Sequence, residues 1–600
     1  MFGLSKLIKE ARRRRVFRTA GIYIVAAWVT VQVFSELFPG LGIPASAIRY
    51  IWLGAFIGFP IALVFGWRYD VTAAGIVRTA PADSGADVEL ELRKADYIIL
   101  AALSLTVAAA LYQLSGRVTA ETVLTESASN SSEDVPSIGV LPFENLSGEP
   151  EQEYFVNGIH DALIGDLSRV SGLQVTSKTS VRAFANSNRP IESICDELLI
   201  DNIIEGGVSR SEDDVQVDVR LRRCSDDEPL WADSYRRRIE DVLIMQSEIT
   251  RSIADAVQVA LTREESEVLA RARPVNPAAY ESYLRGMVHL EMITPNDMRL
   301  AEEFFQRSLE FDTNSALAHW GLGRACRFQL QFGMGAPLDR EPACRGHQFR
   351  ALSLDPDLPQ VHLGLALSYW LFDYDWEAAD NAFRNAIDKN PNYAEAHMFY
   401  SHFLAHMIRW EESEANILRA IELDPLNIFV LGLRGAQLHL VGRYDEAARQ
   451  LTSLHEQVPG FGFGFDVLWY VQYRLGNFDA SIEAAKGFFA ITMGMTDMAD
   501  ELDRSYQSGG FEQAMLELGR VLESVAEQRY IQGTFVAMPF AMAGDSATAV
   551  EWLEKAFEQR DPMLPYVGTM GGAAGLAGDP GYSEILRKMN LSVAPSREGM

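Results

Sequence analysis

Ala351-Leu-Ser-Leu-Asp355-Pro356, Ala386-Ile-Asp-Lys-Asn390-Pro391 and Ala420-Ile-Glu-Leu-Asp424-Pro425 recur in one stretch, which closes on Leu454 and Pro459. Successive prolines stand 35, 34 and 34 residues apart. A small or apolar residue sits five positions before each, and Asp355, Asn390 and Asp424 precede three of the four. Proline disfavours the helical region for its predecessor, so Asp-Pro or Asn-Pro ends a helix. An alanine one turn earlier lets two helices approach closely. Trp376-Glu-Ala-Ala379 and Tyr444-Asp-Glu-Ala447 read as starts of the second helix of a unit, and Leu322-Gly323 and Leu365-Ala366 as small-residue crossings in the first. One such unit cannot bury its own apolar face; several stacked units can.

A period near 34 with helix–turn–helix content resembles the tetratricopeptide (TPR) repeat family. The resemblance implies an all-α solenoid whose first helices line a concave face that holds a protein or peptide partner. The array is expected over residues 276–600, regular at 345–459 and divergent toward the C-terminus, where the phase blurs after Pro459. Gly476-Asn-Phe-Asp-Ala480 and Gly544-Asp-Ser-Ala-Thr-Ala549 look like later inter-helix turns. Counting from the prolines, His362, Leu365, Ala366 and Tyr369 pack between helices. Gln360, Leu363, Leu367 and Trp370, then Glu395, Met398, His402 and Ala405, then Phe429, Gly432, Ala436 and His439 face the groove. That lining is aromatic, Met and small, without lysine or arginine, and suits the apolar side chains of a protein or peptide ligand. Leu363, Trp370, Met398, His402, Phe429 and His439 are the candidate partner-binding residues; the alternative occupant is the protein's own C-terminal helices.

The chain has 600 residues, 48% of them apolar, and a net charge of −29 from 82 acidic and 53 basic side chains. That balance argues against nucleic acid as a partner. The basic residues concentrate in a head at 1–18, where Lys6, Lys9, Arg12, Arg13, Arg14, Arg15 and Arg18 face only Glu10. Residues 19–115 follow as an expected membrane region, with helices at about 19–37, 51–67 and 97–114, each long enough for ~30 Å of hydrocarbon. Arg68, Arg78, Arg93 and Lys94 in the second connection place it and the head in the cytoplasm. The expected location is a bacterial inner membrane, with everything after about residue 115 periplasmic. Residues 116–136 read as a flexible linker.

Residues 137–262 read as a small α+β domain: a strand at Ile138-Gly-Val-Leu-Pro-Phe143, a helix from Tyr154 to Val170, and a hairpin whose second strand alternates Val215, Val217, Val219 and Leu221. Ile138-Gly-Val-Leu-Pro-Phe-Glu-Asn-Leu-Ser-Gly148, Tyr154-Phe-Val-Asn-Gly158, Ile204-Glu-Gly-Gly-Val208 and Leu230-Trp-Ala-Asp-Ser-Tyr235 resemble the TolB amino-terminal-like (FlgO-like) domain. That resemblance implies an envelope-facing interaction domain, and it extends to bacterial proteins in which such a domain precedes TPR arrays, some with a winged-helix or cyclase domain. The cysteines, Cys195, Cys224, Cys326 and Cys344, form no C-x-x-C pair. Setting Arg210 opposite Asp214 brings residue 224 beside residue 200, so Cys195–Cys224 is a disulfide candidate; Cys326–Cys344, across a helix turn, is the second.

No phosphate loop, His-Glu-x-x-His or Gly-x-Ser-x-Gly occurs. Gly460-Phe-Gly462-Phe-Gly464 lacks the spacing of a nucleotide loop, and Gly206-Gly207 marks a strand irregularity or close backbone approach. His319, His362 and His397 recur one repeat apart, too far to share an ion, and His402/His406 at i, i+4 have no evident carboxylate partner. No catalytic residue, metal or cofactor is expected. The reading is a mainly α chain: three transmembrane helices, a small α+β domain and a TPR solenoid. Together they form a membrane-anchored periplasmic, non-enzymatic interaction scaffold. The alternative is a transmembrane signalling receptor or regulator related to the cyclase- or winged-helix-linked proteins.

Overall fold

The computed structural model describes Phe59, residues 69–72 and 75–78, and residues 135–591 apart from 186, 188, 212, 293 and 332. The chain forms two compact units, 1–131 and 132–600. In the first, β1 (Tyr69–Thr72) pairs antiparallel with β2 (Gly75–Arg78) inside the expected 68–96 connection. The expectation of three transmembrane helices and an inner-membrane, periplasmic location is corrected. No helix among the described residues is long and apolar enough to cross a membrane. The uniformly apolar Gly533–Met542 has ten residues, about 15 Å at 1.5 Å per residue, half of what a bilayer needs. The basic head, the stretches at about 19–37, 51–67 and 97–114 (save Phe59) and the linker to residue 134 lie outside the described residues.

The second unit opens with a six-stranded sheet: β3 (Ser137–Val140), β4 (Glu144–Asn145), β5 (Gln174–Val175), β6 (Asn202–Ser211), β7 (Asp214–Arg223) and β8 (Pro229–Arg238), in the order β5-β3-β6-β7-β8, with β4 also on β6. Val215, Val217, Val219 and Leu221 alternate along β7 and are wholly buried. One sheet face is thus dry, as period-two alternation requires. It is covered by α1 (Glu153–Ser168) and α4 (Val242–Ala256), which supply Phe155, Ile159, Leu163, Met245, Ile249 and Ile253. The short α2 (Lys178–Arg182), α3 (Ile191–Leu198) and α5 (Arg263–Ala270) complete the domain. A Cβ at Gly206 would stand 2.5 Å from the Asp218 carbonyl oxygen, so the double glycine marks a close backbone approach. The hairpin sets Ser211 opposite Asp214 and Arg210 opposite Val215, one residue from the expected register. Cys224 donates its N–H to Asp201 O at 2.9 Å and is joined to Cys195, with Cα atoms 6.0 Å apart.

The rest is helix pairs: α6 (Pro277–Met292) with α7 (Pro295–Phe311), α8 (Ala316–Gln331) with α9 (Pro337–Leu354), α10 (Pro359–Ser368) with α11 (Trp376–Lys389), α12 (Ala394–His406) with α13 (Trp410–Leu423), and α14 (Ile428–Leu440) with α15 (Tyr444–Gln457). They continue as α16 (Phe465–Arg474) with α17 (Phe478–Gly487), the two arms of α18 (Thr496–Ala526), and α19 (Gly533–Met542) with α20 (Ser546–Glu558). A last helix, α21 (Pro580–Lys588), has only 3₁₀ turns before it, at Leu564–Tyr566 and Gly571–Leu576. This is a TPR-like solenoid. Ala351, Ala386 and Ala420, the residues that set the period, are wholly buried. Asp355 and Asn390 have φ of −140° and −150° in the extended backbone that a following proline favours, and Asp424, at φ −143° and ψ 63°, has likewise left the helical region. Cys326 and Cys344 tie α8 to α9 with Cα atoms 5.5 Å apart.

A second periodicity runs further than the prolines. Tyr374, Ile408, Gly442, Gly476, Gly510, Gly544 and Gly578 all have positive φ, between 58° and 91°, each 34 residues after the one before. Each sits in the turn that leads to the second helix of a unit. At Gly510 (φ 77°, ψ −171°) a single residue breaks α18 into arms 496–509 and 511–526. The turns therefore keep a 34-residue spacing to residue 578. Gly476 has nothing within 4 Å of where a Cβ would go. Gly476→Ala is therefore expected to cost about 1–2 kcal/mol through left-handed backbone alone. Gly346, exposed within α9 and equally unobstructed, should as alanine gain about 0.5–1 kcal/mol. Opposite signs in denaturant titrations check the pair; equal signs would reject the assignment of a strained turn.

Candidate functional site

First helices of successive units line the concave side. In three units a histidine near the start of that helix donates from Nε2 to a carbonyl six residues back. The pairs are His319 to Thr313 O at 3.3 Å, His362 to Pro356 O at 2.8 Å and His397 to Pro391 O at 3.0 Å. Their recurrence braces the inter-repeat turn. Small residues then take the crossing: a Cβ at Gly323 would meet Gln348 at 2.4 Å and one at Gly435 would meet Leu451 at 2.5 Å.

The candidate partner-binding residues lie on this concave side. Leu363, Trp370, Met398, His402 and His439 are 0–3% exposed and Phe429 is half-buried. The chain's own residues cover them. Tyr566 packs on Trp370 (ring centroids 5.3 Å) and edge-on to His406 (4.6 Å). Thr569 Oγ1 and His406 Nδ1 share a hydrogen bond of 2.9 Å, and Gly571 N–H donates to His439 Nε2 at 2.9 Å. Phe463 packs on Phe429 with ring centroids 4.6 Å apart and the planes tilted by 47°. In the last unit a Gly-rich segment replaces the first helix, and without that helix's bulk it threads across the concave face. A Cβ at Gly572 would stand 2.9 Å from the Tyr470 ring.

His402 and His406 do not converge as a half-site: His402 Nε2 donates to Leu433 O at 2.9 Å while His406 turns to Thr569. Among the described residues no group of three potential ligands could hold a metal. Burial pushes the His402 imidazole down to about 4, the Leu433 carbonyl opposing it. Burial, then the nearby His402 and His439, push His406 to about 3; burial, then Arg474 and His402, do the same to His439. All three rings are neutral at pH 7.

Two arginines in α8 were absent from the sequence account of the groove. Arg324 pairs with Glu395 at 2.9 Å, and Tyr393 donates to the same carboxylate at 3.2 Å. Arg327, 5% exposed, donates to Gly364 O at 3.3 Å. Extending the repeat register back one unit would have found them.

The inter-repeat turns also carry the α/β domain. Arg169 donates to Asp357 O, and the Asp357 carboxylate pairs with Arg271 and, at 2.9 Å, Lys389. Asn392 Nδ2 donates to Ser168 O (3.0 Å) and Leu173 O (2.8 Å), and its Oδ1 accepts from Val175 N–H at 3.4 Å. Asp424 Oδ1 accepts from Ser180 N–H (3.1 Å) and Oγ (2.7 Å). Asp424 and Asn390, which mark the repeat in the sequence, and Asp357 and Asn392, two residues past such a marker, thus form the contact edge for the α/β domain; Asn390 Nδ2 donates to Ser168 Oγ at 2.8 Å. Asn392→Ala strips three buried backbone groups of their partner, and is expected to cost about 2–3 kcal/mol, most of it desolvation of the orphaned groups. Denaturation of Asn392→Ala beside the exposed control Gln457→Ala checks this; equal midpoints would show the contacts to be solvated.

No family model matches the chain. It is 34% identical over 235 residues to a Rhizobium meliloti (strain 1021) protein named "Putative adenylate cyclase 3", covering 39% of this chain and 40% of that protein. The chain thus spans well under half the length of this curated relative. Among solved structures it is similar to YrrB, described as a TPR protein with an unusual peptide-binding site (17% identity, TM-score 0.22, 33% of this chain and 97% of that one). It is also similar to a tetratricopeptide repeat protein from Parabacteroides merdae ATCC 43184 (14%, TM-score 0.26, 48% and 99%) and to the P58(IPK) TPR domain (11%, TM-score 0.18, 52% and 97%). At those TM-scores the three carry no weight here; the repeat fold rests on its own helix pairs. The cyclase name of the relative overturns the expectation of a non-enzymatic chain, which stood only on missing motifs.

Proposed function

We propose that residues 137–591 form a protein-interaction scaffold, with a TolB-amino-terminal-like domain docked on a TPR solenoid and presenting one joint surface to partners. The observation that carries it is the stack of helix pairs clamped to the α/β domain through its own turns. Solenoids of this kind offer long surfaces at little cost in core. Tagged full-length chain, cross-linked in native cells, should capture a reproducible set of proteins; absence of any stoichiometric partner would reject the scaffold.

The name of the Rhizobium meliloti relative supports a second reading, in which the chain serves adenylate cyclase activity. Cyclic AMP formation from ATP by the purified chain, or by a complex captured with it, tests that reading directly. Background turnover in both would remove it.

A further inference from the structure

We propose that the groove between the two arms of α18 binds an amphipathic helix bearing lysine or arginine beside its apolar face. The proposal deepens the scaffold reading and rests on it. The concave face is filled by the chain itself, so an external segment needs another apolar surface. One exists where α18 folds back at Gly510. A cavity of about 370 Å³ opens there, floored by Met495, Met498, Leu502, Leu518 and Val521. Val521 is 37% exposed and Met495 is half-buried. Exposed apolar side chains gathered in one place and rimmed by charge mark a binding surface. Methionine suits it, because its unbranched side chain adapts to an incoming partner.

The rim fixes the partner's charge. Asp497, Glu501 and Glu517 line the groove and no lysine or arginine does. Glu501 and Glu517 pair with Arg504 and Arg520 at 2.6 and 2.8 Å, but those arginines are 70% and 60% exposed and the pairs are solvent-screened. Asp497 makes no ion pair among the described residues. The whole of α18 carries seven carboxylates against those two arginines. The lining runs from Gly494 to Ser505 along one arm, about 15 Å at 1.5 Å per residue, the length of three helical turns. Apolar anchors at helical spacing with basic flanks match both the floor and the rim.

The test uses full-length protein and a fluorescein-labelled 14-residue amphipathic Leu/Lys peptide, with its Leu/Glu counterpart, read by anisotropy at low and moderate salt. The Leu/Lys peptide is expected to bind at least tenfold more tightly than Leu/Glu. The double variant Met495→Ser/Val521→Ser, at a half-buried and an exposed position of the lining, should weaken it at least tenfold. Asp497→Asn should weaken it less and flatten the salt dependence. Equal affinity for the two peptides, or an unchanged affinity in the double variant, overturns the proposal. So does a concentration-dependent dimer abolished by the same variants, which would assign the groove to a second copy. Cellular capture that survives the double variant unchanged sinks the groove and leaves the scaffold; no capture by the wild type sinks the scaffold itself.

Discussion

Between pH 7 and pH 5 the unit formed by residues 132–600 is expected to lose about 5 kcal/mol through three histidines alone. His402, His406 and His439 are 2%, 5% and 3% exposed and neutral when folded. Their folded pKa values, about 4, 3 and 3, lie below the ordinary imidazole value of 6.5. The unfolded chain therefore binds more protons across this window, and stability falls as pH drops below 6.5 at about 1.4 kcal/mol per unit for each ring. Geometry agrees: His439 Nε2 accepts from Gly571 N–H and has no lone pair to offer once protonated. Arg474 near His439, and the histidines facing one another, add repulsion. Buried carboxylates act oppositely. Asp166, pushed up to about 6 by burial, and Asp424, Asp466 and Asp561, raised by burial, stabilise below their folded pKa values and lose that contribution as pH rises. The measurement is therefore a difference: urea titrations at pH 7, 6 and 5 for the wild type and for His439→Gln. The variant's slope should be shallower by about 1.4 kcal/mol per pH unit; parallel slopes would show that His439 is protonated in the folded state.

Trp370→Ala is expected to destabilise the fold by about 3–5 kcal/mol. The indole is wholly buried, with Phe383, Phe403, His406 and Tyr566 around it at ring-centroid distances of 5.3–6.1 Å. Its removal leaves a cavity where α10 and α12 meet the Gly-rich segment. Phe429→Ala, at a half-buried ring with Phe463 as neighbour, should cost less than half as much. Thermal unfolding of both separates a structural Trp370 from a ligand anchor: an unshifted midpoint in Trp370→Ala would show the indole to be exchangeable with solvent or a guest.

The repeat was legible because Asp-Pro and Asn-Pro turns and buried alanines are local signals, fixed by backbone sterics and close packing. The run of glycines at 442, 476, 510, 544 and 578 was just as local, yet Tyr374 and Ile408 take the same backbone shape without glycine and hide the start of the series. The occupancy of the concave face was not legible. It depends on contacts 163 residues apart for Thr569 and His406, and 132 for Gly571 and His439, which no window of sequence encloses. Groove-facing positions followed from helical period, but whether a groove is empty depends on what else the chain has to place there. The disulfide pairing of Cys195 tolerated a one-residue slip in the hairpin, since either register brings Cys224 to the same end of β6.

The array also returns upon itself. Trp376 Nε1 donates to Met589 O at 2.8 Å, Arg560 to Phe372 O at 3.2 Å and Gln532 to Gln331 O at 3.0 Å, while Tyr374 stacks on Phe557 at 5.8 Å. Linear repeat proteins behave as one-dimensional chains in which terminal units fray first and unfolding travels inward. Here the last units are held to the α10–α11 unit and to the end of α8, so unzipping from the C-terminal end must first break those contacts. The C-terminal half of the array therefore does not fray as a free end, and its release needs a break at this seam as well as one between units.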